Sequence, residues 1–119
     1  MYEYQAAPMT VVDGDTIDVT VDLGFRIHRE IRLRLLGIDT HETYGVPKDS
    51  EEYRRGAEET AFVEEWMAAA PDGQPWPFFI ATEKRGKFGR YLAEIERRVD
   101  GAVLNDDLLE EFGDEIRYD

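Results

Sequence analysis

The chain has 119 residues, 42% of them hydrophobic, and a net charge of −13 from 27 acidic and 14 basic side chains. That is enough apolar material for one compact domain with a real core, and it excludes a disordered polyanion. Cysteine is absent, which excludes disulfides and thiolate metal centres and leaves oxygen or histidine to hold any metal.

In chain order, "YQAAPMTVV" reads as a weak strand, and "DGD" (Asp13-Gly14-Asp15) as the turn that joins it to the next. "TIDVTVDLGF" alternates cleanly, with Ile17, Val19, Val21 and Leu23 on one face and Asp18, Thr20 and Asp22 on the other, the mark of a half-buried strand. "REIRLRLLGID" alternates again, Ile31, Leu33 and Leu35 facing inward, and His28 lies on the surface in the turn before it. "HETYGVPKDSEEY" is a loop, with Ser50 placed to cap the helix that follows. In "EEYRRGAEETAFVEEWMAAA", Ala57, Ala61, Val63, Trp66 and Ala70 approximate an apolar stripe, and Glu58, Glu59, Glu64 and Glu65 are expected outside it. "PDGQPWP" stops the helix. "FFIATE" is a fourth strand, "KRGKFGR" a basic glycine-containing turn, "YLAEIERRV" a fifth strand and "AVLNDDLLEEF" a short final helix in which Asn105 sits too deep to be the cap.

The order β-β-β-α-β-β-α over residues 1–119, without repeats or a domain boundary, fits a five-stranded OB-fold barrel with a helix between strands three and four, although other small α+β folds share the pattern. No apolar run is long enough to span a membrane, and the N-terminus lacks the basic and apolar regions of a signal peptide. The expectation is a cytoplasmic, monomeric protein with no membrane partner.

Polar residues collect where strands meet turns: Asp13 and Asp15, then Arg34, then Asp39 and Glu42, then Arg90. Carboxylates at loop ends suit a hard cation such as Ca²⁺ or Mg²⁺. Guanidinium groups match the oxygens of a phosphate. Together they are the parts for attack on a phosphodiester. Each also has a plainer reading as a structural turn, a surface ion pair or a solvated loop residue.

The segments "VVDGDTIDV", "IRLRLLGIDTHET", "KFGRYLAEI" and "LNDDLLEE" resemble, in order, the signatures of the staphylococcal nuclease (thermonuclease) family. The resemblance covers nearly all of Thr10 to Phe112. It implies an OB-fold endonuclease that binds Ca²⁺ and cleaves DNA or RNA to 3′-phosphate ends. By position, it implies Asp15, Asp39 and the Thr40 carbonyl as calcium ligands, and Asp13 as an acidic residue behind them. It implies Glu42 as the group that deprotonates or orients the attacking water, and Arg34 and Arg90 as the grip on the scissile phosphate. Lys87, Phe88 and Tyr118 would touch the nucleotide. Two departures stand out. His41 occupies the place of a proline and is expected to be an exposed loop histidine, and the chain stops at "GDEIRYD" where the family usually continues into a third helix.

Against the nuclease stand a catalytically silent OB-fold module that binds nucleic acid and an acidic scaffold that recruits a basic partner. The charge itself reads as a solubility surface or as adaptation to concentrated salt. Lysine occurs only at positions 48, 84 and 87, the other 11 basic residues being arginine. At about 1 M salt the Debye length is only ~3 Å, so surface charge would then say little about partners.

Overall fold

The computed structural model describes residues 2–84 and 91–118. β1 (Tyr2–Asp13), β2 (Thr16–Asp22) and β3 (His28–Leu35) form a meander, α1 (Glu51–Ala68) follows, and β4 (Phe78–Lys84), β5 (Tyr91–Arg97) and α2 (Leu104–Phe112) complete the order. The strands close into a barrel in the order β1-β2-β3-β5-β4, the arrangement expected of an OB-like fold.

Closure depends on the length of β1. Its first residues, Tyr2 to Ala6, pair with β4, while Gln5 to Asp13 pair with β2. A strand serving two neighbours must bend, and register breaks between Pro8 and Thr10 and between Val11 and Asp13 provide the irregularities. Proline fits the first of them because it has no amide to give to a ladder. β3 and β5 run parallel, with Leu33 beside Tyr91 and Arg34 beside Leu92. The β2–β3 hairpin turns at Phe25 and Arg26, both in the left-handed region with φ 54° and 62°. A turn of that hand matches the twist of the strands it joins. The usual glycine or asparagine is missing at both positions, so the sequence does not announce it.

The alternation in β2 and β3 has the physical consequence expected of it. Ile17, Val19, Val21, Leu33 and Leu35 are at most 1% exposed and meet Phe78, Ile80, Ala93 and Ile95 from the other strands inside the barrel. Leu23 departs from the reading: it lies beyond the end of β2 and is exposed. α1 and α2 pack on the barrel through Val63, Trp66, Met67, Leu104 and Leu108. Trp66 stacks on Phe78 at 5.7 Å and donates from Nε1 to Asp107 at 2.9 Å, which ties the two helices to the same wall. Ser50 caps α1, its side chain accepting from the Tyr53 amide.

The buried face of α1 differs from the expected stripe. It consists of Gly56, Glu59, Val63, Trp66 and Met67, whereas Ala57 and Ala61 face outward. This set has true helical spacing, but it contains a glycine and an acid, so an apolar count selects the neighbouring alanines instead. Glu59, expected outside, is 1% exposed. Asn105 is not a cap either. It lies inside α2, accepts from the Ile95 amide at 3.2 Å and donates to the carbonyls of Leu36 and Ala93 at 2.9 and 3.1 Å. It thereby pins the end of β3, just upstream of Asp39. Among the described residues no helix is long and apolar enough to cross a membrane.

Candidate active site

The loop that leaves β3 carries Asp39, Thr40, His41 and Glu42. Four consecutive backbone amides hold it, each donating to a different acceptor. Asp39 donates to the Ile116 carbonyl at 2.8 Å, Thr40 to Asp15 Oδ2 at 3.1 Å, His41 to Glu59 Oε1 at 2.7 Å and Glu42 to Glu52 Oε2 at 2.6 Å. The loop is thus strapped to the C-terminal segment, the β1–β2 turn and α1 in succession.

Two glycines allow this approach. A Cβ at Gly14 would lie 2.7 Å from Thr40 Cγ2 and 3.2 Å from Glu59 Cβ, and one at Gly56 would lie 2.6 Å from the His41 carbonyl oxygen. Gly56→Ala should therefore destabilise the fold despite alanine's better helix propensity. Overpacking against backbone costs about 1–3 kcal/mol, and the helix preference returns about 1 kcal/mol. We expect the denaturant midpoint to fall with the m-value unchanged.

Asp15 is buried at the head of β2. Its Oδ1 accepts from the Thr16 hydroxyl at 2.9 Å, and its own amide donates to Asp13 Oδ1 at 3.1 Å. Burial, and then the neighbouring Asp13 carboxylate, push its carboxyl up from the usual 3.8 to about 6, against opposing pulls from Thr16 and Arg34. Arg34, last but one in β3, places one guanidinium nitrogen, Nη2, 3.2 Å from Asp39 Oδ1 and 3.7 Å from Asp15 Oδ2. Two carboxylates from different elements thus converge on one cationic nitrogen. They differ in solvation: the Asp15 side chain is 9% exposed and that of Asp39 53%. The guanidinium carbon also lies 5.8 Å from the centre of the Tyr118 ring. That ring is brought there by an isolated bridge between Ile38 and Arg117 and by the Tyr118 amide donating to the Gly37 carbonyl at 2.9 Å.

The structure therefore gathers Asp13, Asp15, Arg34, Asp39, Thr40 and Tyr118 around one end of the barrel. Glu42 sits in the same loop, exposed, and its carboxylate has no partner among the described residues. Arg90, Lys87 and Phe88 lie outside the described residues. His41 is not the exposed loop residue expected of it. Its side chain is 17% exposed, and its Nδ1 lies 2.7 Å from Glu59 Oε2. The clue in the sequence was Gly56: a glycine inside a helix costs stability unless something passes close to it. Glu59, one turn further along, meets what passes.

Among the described residues no three histidine, aspartate or glutamate side chains converge to cage a metal. Asp15 and Asp39 both approach Arg34 Nη2, and the Thr40 amide donates to Asp15 Oδ2; carboxylate oxygens of this kind suit a hard cation whose remaining positions are filled by water or substrate. Asp15 is also a buried acid whose charge Arg34 only partly offsets, a deficit that a divalent cation would relieve. The residues present fit such an ion. Two surface hollows, of about 340 and 300 Å³, lie elsewhere, the first beside Glu94 and Glu96, the second lined by Tyr2, Tyr4, Arg29 and Tyr91. Of the two carboxylates, Asp39 faces solvent and Asp15 is buried. No protein-family model matches the chain, and no curated protein matches it.

Proposed function

We propose that the chain is a calcium-dependent endonuclease of the staphylococcal nuclease type, hydrolysing phosphodiester bonds of DNA or RNA to leave 3′-phosphate ends. The observation that supports it most is the convergence of Asp15 and Asp39 on Arg34 Nη2. This is a buried carboxylate and a solvent-facing one held beside a single guanidinium. Asp15, Asp39 and the Thr40 carbonyl would hold Ca²⁺, with Mg²⁺ the less suitable ion. Such an ion supplies charge neutralisation at a phosphate oxygen and makes a nearby water more acidic.

The remaining chemistry belongs to the side chains. Glu42 is free to take a proton from the attacking water, or to aim it. The water oxygen bonds to phosphorus as the bond to the 5′ oxygen breaks, and the departing oxygen takes a proton from solvent. Arg34 Nη2 lies beside both Asp15 and Asp39, and its planar fork would grip the equatorial phosphate oxygens, with Arg90 as the second grip. Tyr118, beside Arg34, offers a ring for a base or sugar, and Lys87 and Phe88 complete the nucleotide contacts.

A second reading, nucleic-acid binding without cleavage, draws on the hollow lined by Tyr2, Tyr4, Tyr91 and Arg29, since tyrosine faces and an arginine suit stacked bases. One assay separates the two: labelled single-stranded DNA with Ca²⁺, Mg²⁺ or EDTA, at low and multimolar salt, beside Glu42→Gln. We expect calcium-dependent cleavage to 3′-phosphate ends, abolished by EDTA and reduced about 10²–10⁴-fold in the variant. Binding with no cleavage under any condition would overturn the nuclease reading in favour of the second.

A further inference from the structure

Glu59 is a carboxylate in a place where α1 would ordinarily put a hydrocarbon. It lies on the buried face between Gly56 and Val63 and is 1% exposed. Burying such a group is costly unless its oxygens are satisfied. Both are, and both by one residue: Oε1 accepts from the His41 amide and Oε2 meets His41 Nδ1, each at 2.7 Å. Its stem also lies close beside the other half of the site, since a Cβ added at Gly14 would come within 3.2 Å of Glu59 Cβ. Glu59 thus bonds the loop with Asp39 and Thr40 and stands close to the β1–β2 turn with Asp15.

The position of the bond in the loop matters. His41 lies between Thr40, whose amide is taken by Asp15, and Glu42, whose amide is taken by Glu52. Glu52 is in the first turn of α1 and Asp15 ends the β1–β2 turn. Glu59 is the buried one of the two helix anchors, and it grips ring and backbone together; it fixes the peptide unit before His41, while Glu52 holds the one after it. Those units contain the Thr40 carbonyl and the attachment point of the Glu42 side chain.

We propose that Glu59, acting through His41, is a positioning residue for the site, holding the Thr40 carbonyl and Glu42 in their working geometry before cation or substrate arrives. The proposal rests on the nuclease reading. It also gives His41 a role: the residue supplies by side-chain bonding a restraint on the loop. Groups that orient ligands without touching metal or substrate typically contribute 10–100-fold in affinity or activity when removed.

The test compares Glu59→Leu, Glu59→Gln and His41→Ala with the unaltered chain, using calcium titration by calorimetry, kcat and KM on single-stranded DNA, and thermal unfolding. Leucine fills the space without accepting a hydrogen bond. We expect Glu59→Leu to lower kcat and calcium affinity each by about 10–100-fold, with KM changed less than about threefold. Glutamine can still accept from the His41 amide and donate to Nδ1, and should restore most of both. Met67→Ala is the control for stability alone. Met67 is buried on the same helix, eight residues on, about 12 Å along the axis. Its replacement should lower the unfolding temperature and leave calcium affinity and kcat in place. If Glu59→Leu does not fold, His41→Ala decides, because it removes the ring contact and keeps the amide; a drop of about 3–10-fold in kcat is expected from that smaller change. Folded variants with unaltered calcium affinity and kcat, in a chain that itself cleaves DNA, would overturn this proposal alone. An unaltered chain that binds no calcium and cleaves nothing would overturn the nuclease reading, and this proposal with it.

Discussion

Arg34→Ala should lower the single-turnover cleavage rate by about 10²–10³-fold, the usual cost of removing one preorganised donor to a developing oxyanion, while the barrel stays folded. Arg34 is half-buried at the end of β3 and makes no contribution to the apolar core. Its loss removes the cationic nitrogen that Asp15 and Asp39 share. In the metal-free chain the two carboxylates are then left with less compensation, so calcium should bind the variant at least as tightly as the parent. That combination, retained or improved calcium affinity with a large fall in rate, is the signature of a phosphate-gripping arginine. If Arg34 served only as a counter-ion, the rate would hold once calcium saturates the carboxylates. Arg34→Lys should recover little, because an ammonium is a point charge and cannot present the planar fork. Single-turnover kinetics at saturating calcium, with calorimetric titration alongside, measures both quantities.

Asp15→Asn should stabilise the metal-free protein and abolish its calcium response. The sign follows from proton binding. Burial and the Asp13 carboxylate raise the folded-state value of Asp15 from the usual 3.8 to about 6, so between those limits the folded state binds more protons than the unfolded one. Stability attributable to this group therefore falls as pH rises through that window and is constant above it. A displacement of about two pH units corresponds to ~3 kcal/mol at most. Asparagine keeps an oxygen for the Thr40 amide and can donate to the Thr16 hydroxyl, and it carries no charge to bury. We expect Asp15→Asn to unfold about 1–3 kcal/mol later at pH 7, the gain shrinking toward zero near pH 4, where the aspartate is itself neutral. The difference between the two chains must be followed, because several surface acids pull the other way. Asp18, held low by Arg32, and Asp100, held low by Arg97, lose stabilising contacts as pH falls, and the subtraction removes them. Saturating calcium should reverse the ranking, since a ligand that binds only the folded parent stabilises the parent alone.

The two predictions describe one trade. An under-compensated carboxylate in a buried place costs stability and would give a bound cation something to gain. The barrel itself was legible from alternation, because Ile17, Val19, Val21, Leu33 and Leu35 report a period of two and their burial follows from it. The turn at Asp13 to Asp15 and the cap at Ser50 were equally direct, since the turn and the cap need those side-chain types. What alternation and propensity do not encode is the pairing of polar groups distant in sequence. Glu59 looks like every other glutamate of α1, and only the passage of His41 over Gly56 makes it a buried acceptor. Asn105 looks like a misplaced cap, and only the packing of α2 on β5 turns it into a tie for the end of β3. The convergence of Asp15, Asp39 and Arg34 was suggested by their places at strand ends. Tyr118 could be set beside Arg34 only after the bridge from Ile38 to Arg117 was known.

That bridge has a consequence for the order in which the molecule can be built. Asp39 receives its backbone anchor from Ile116, and Gly37 accepts from Tyr118, so the loop is fixed by residues separated from it by most of the chain. Closing so long a span costs chain entropy that nearby contacts do not repay until the intervening barrel has formed. The barrel can close through β1 and β4 with residues no later than Lys84 and Arg97 in place, but the anchor of Asp39 waits for Ile116. The strand pairing of the barrel therefore needs nothing beyond Arg97, whereas the anchored loop needs the segment around Ile116 as well.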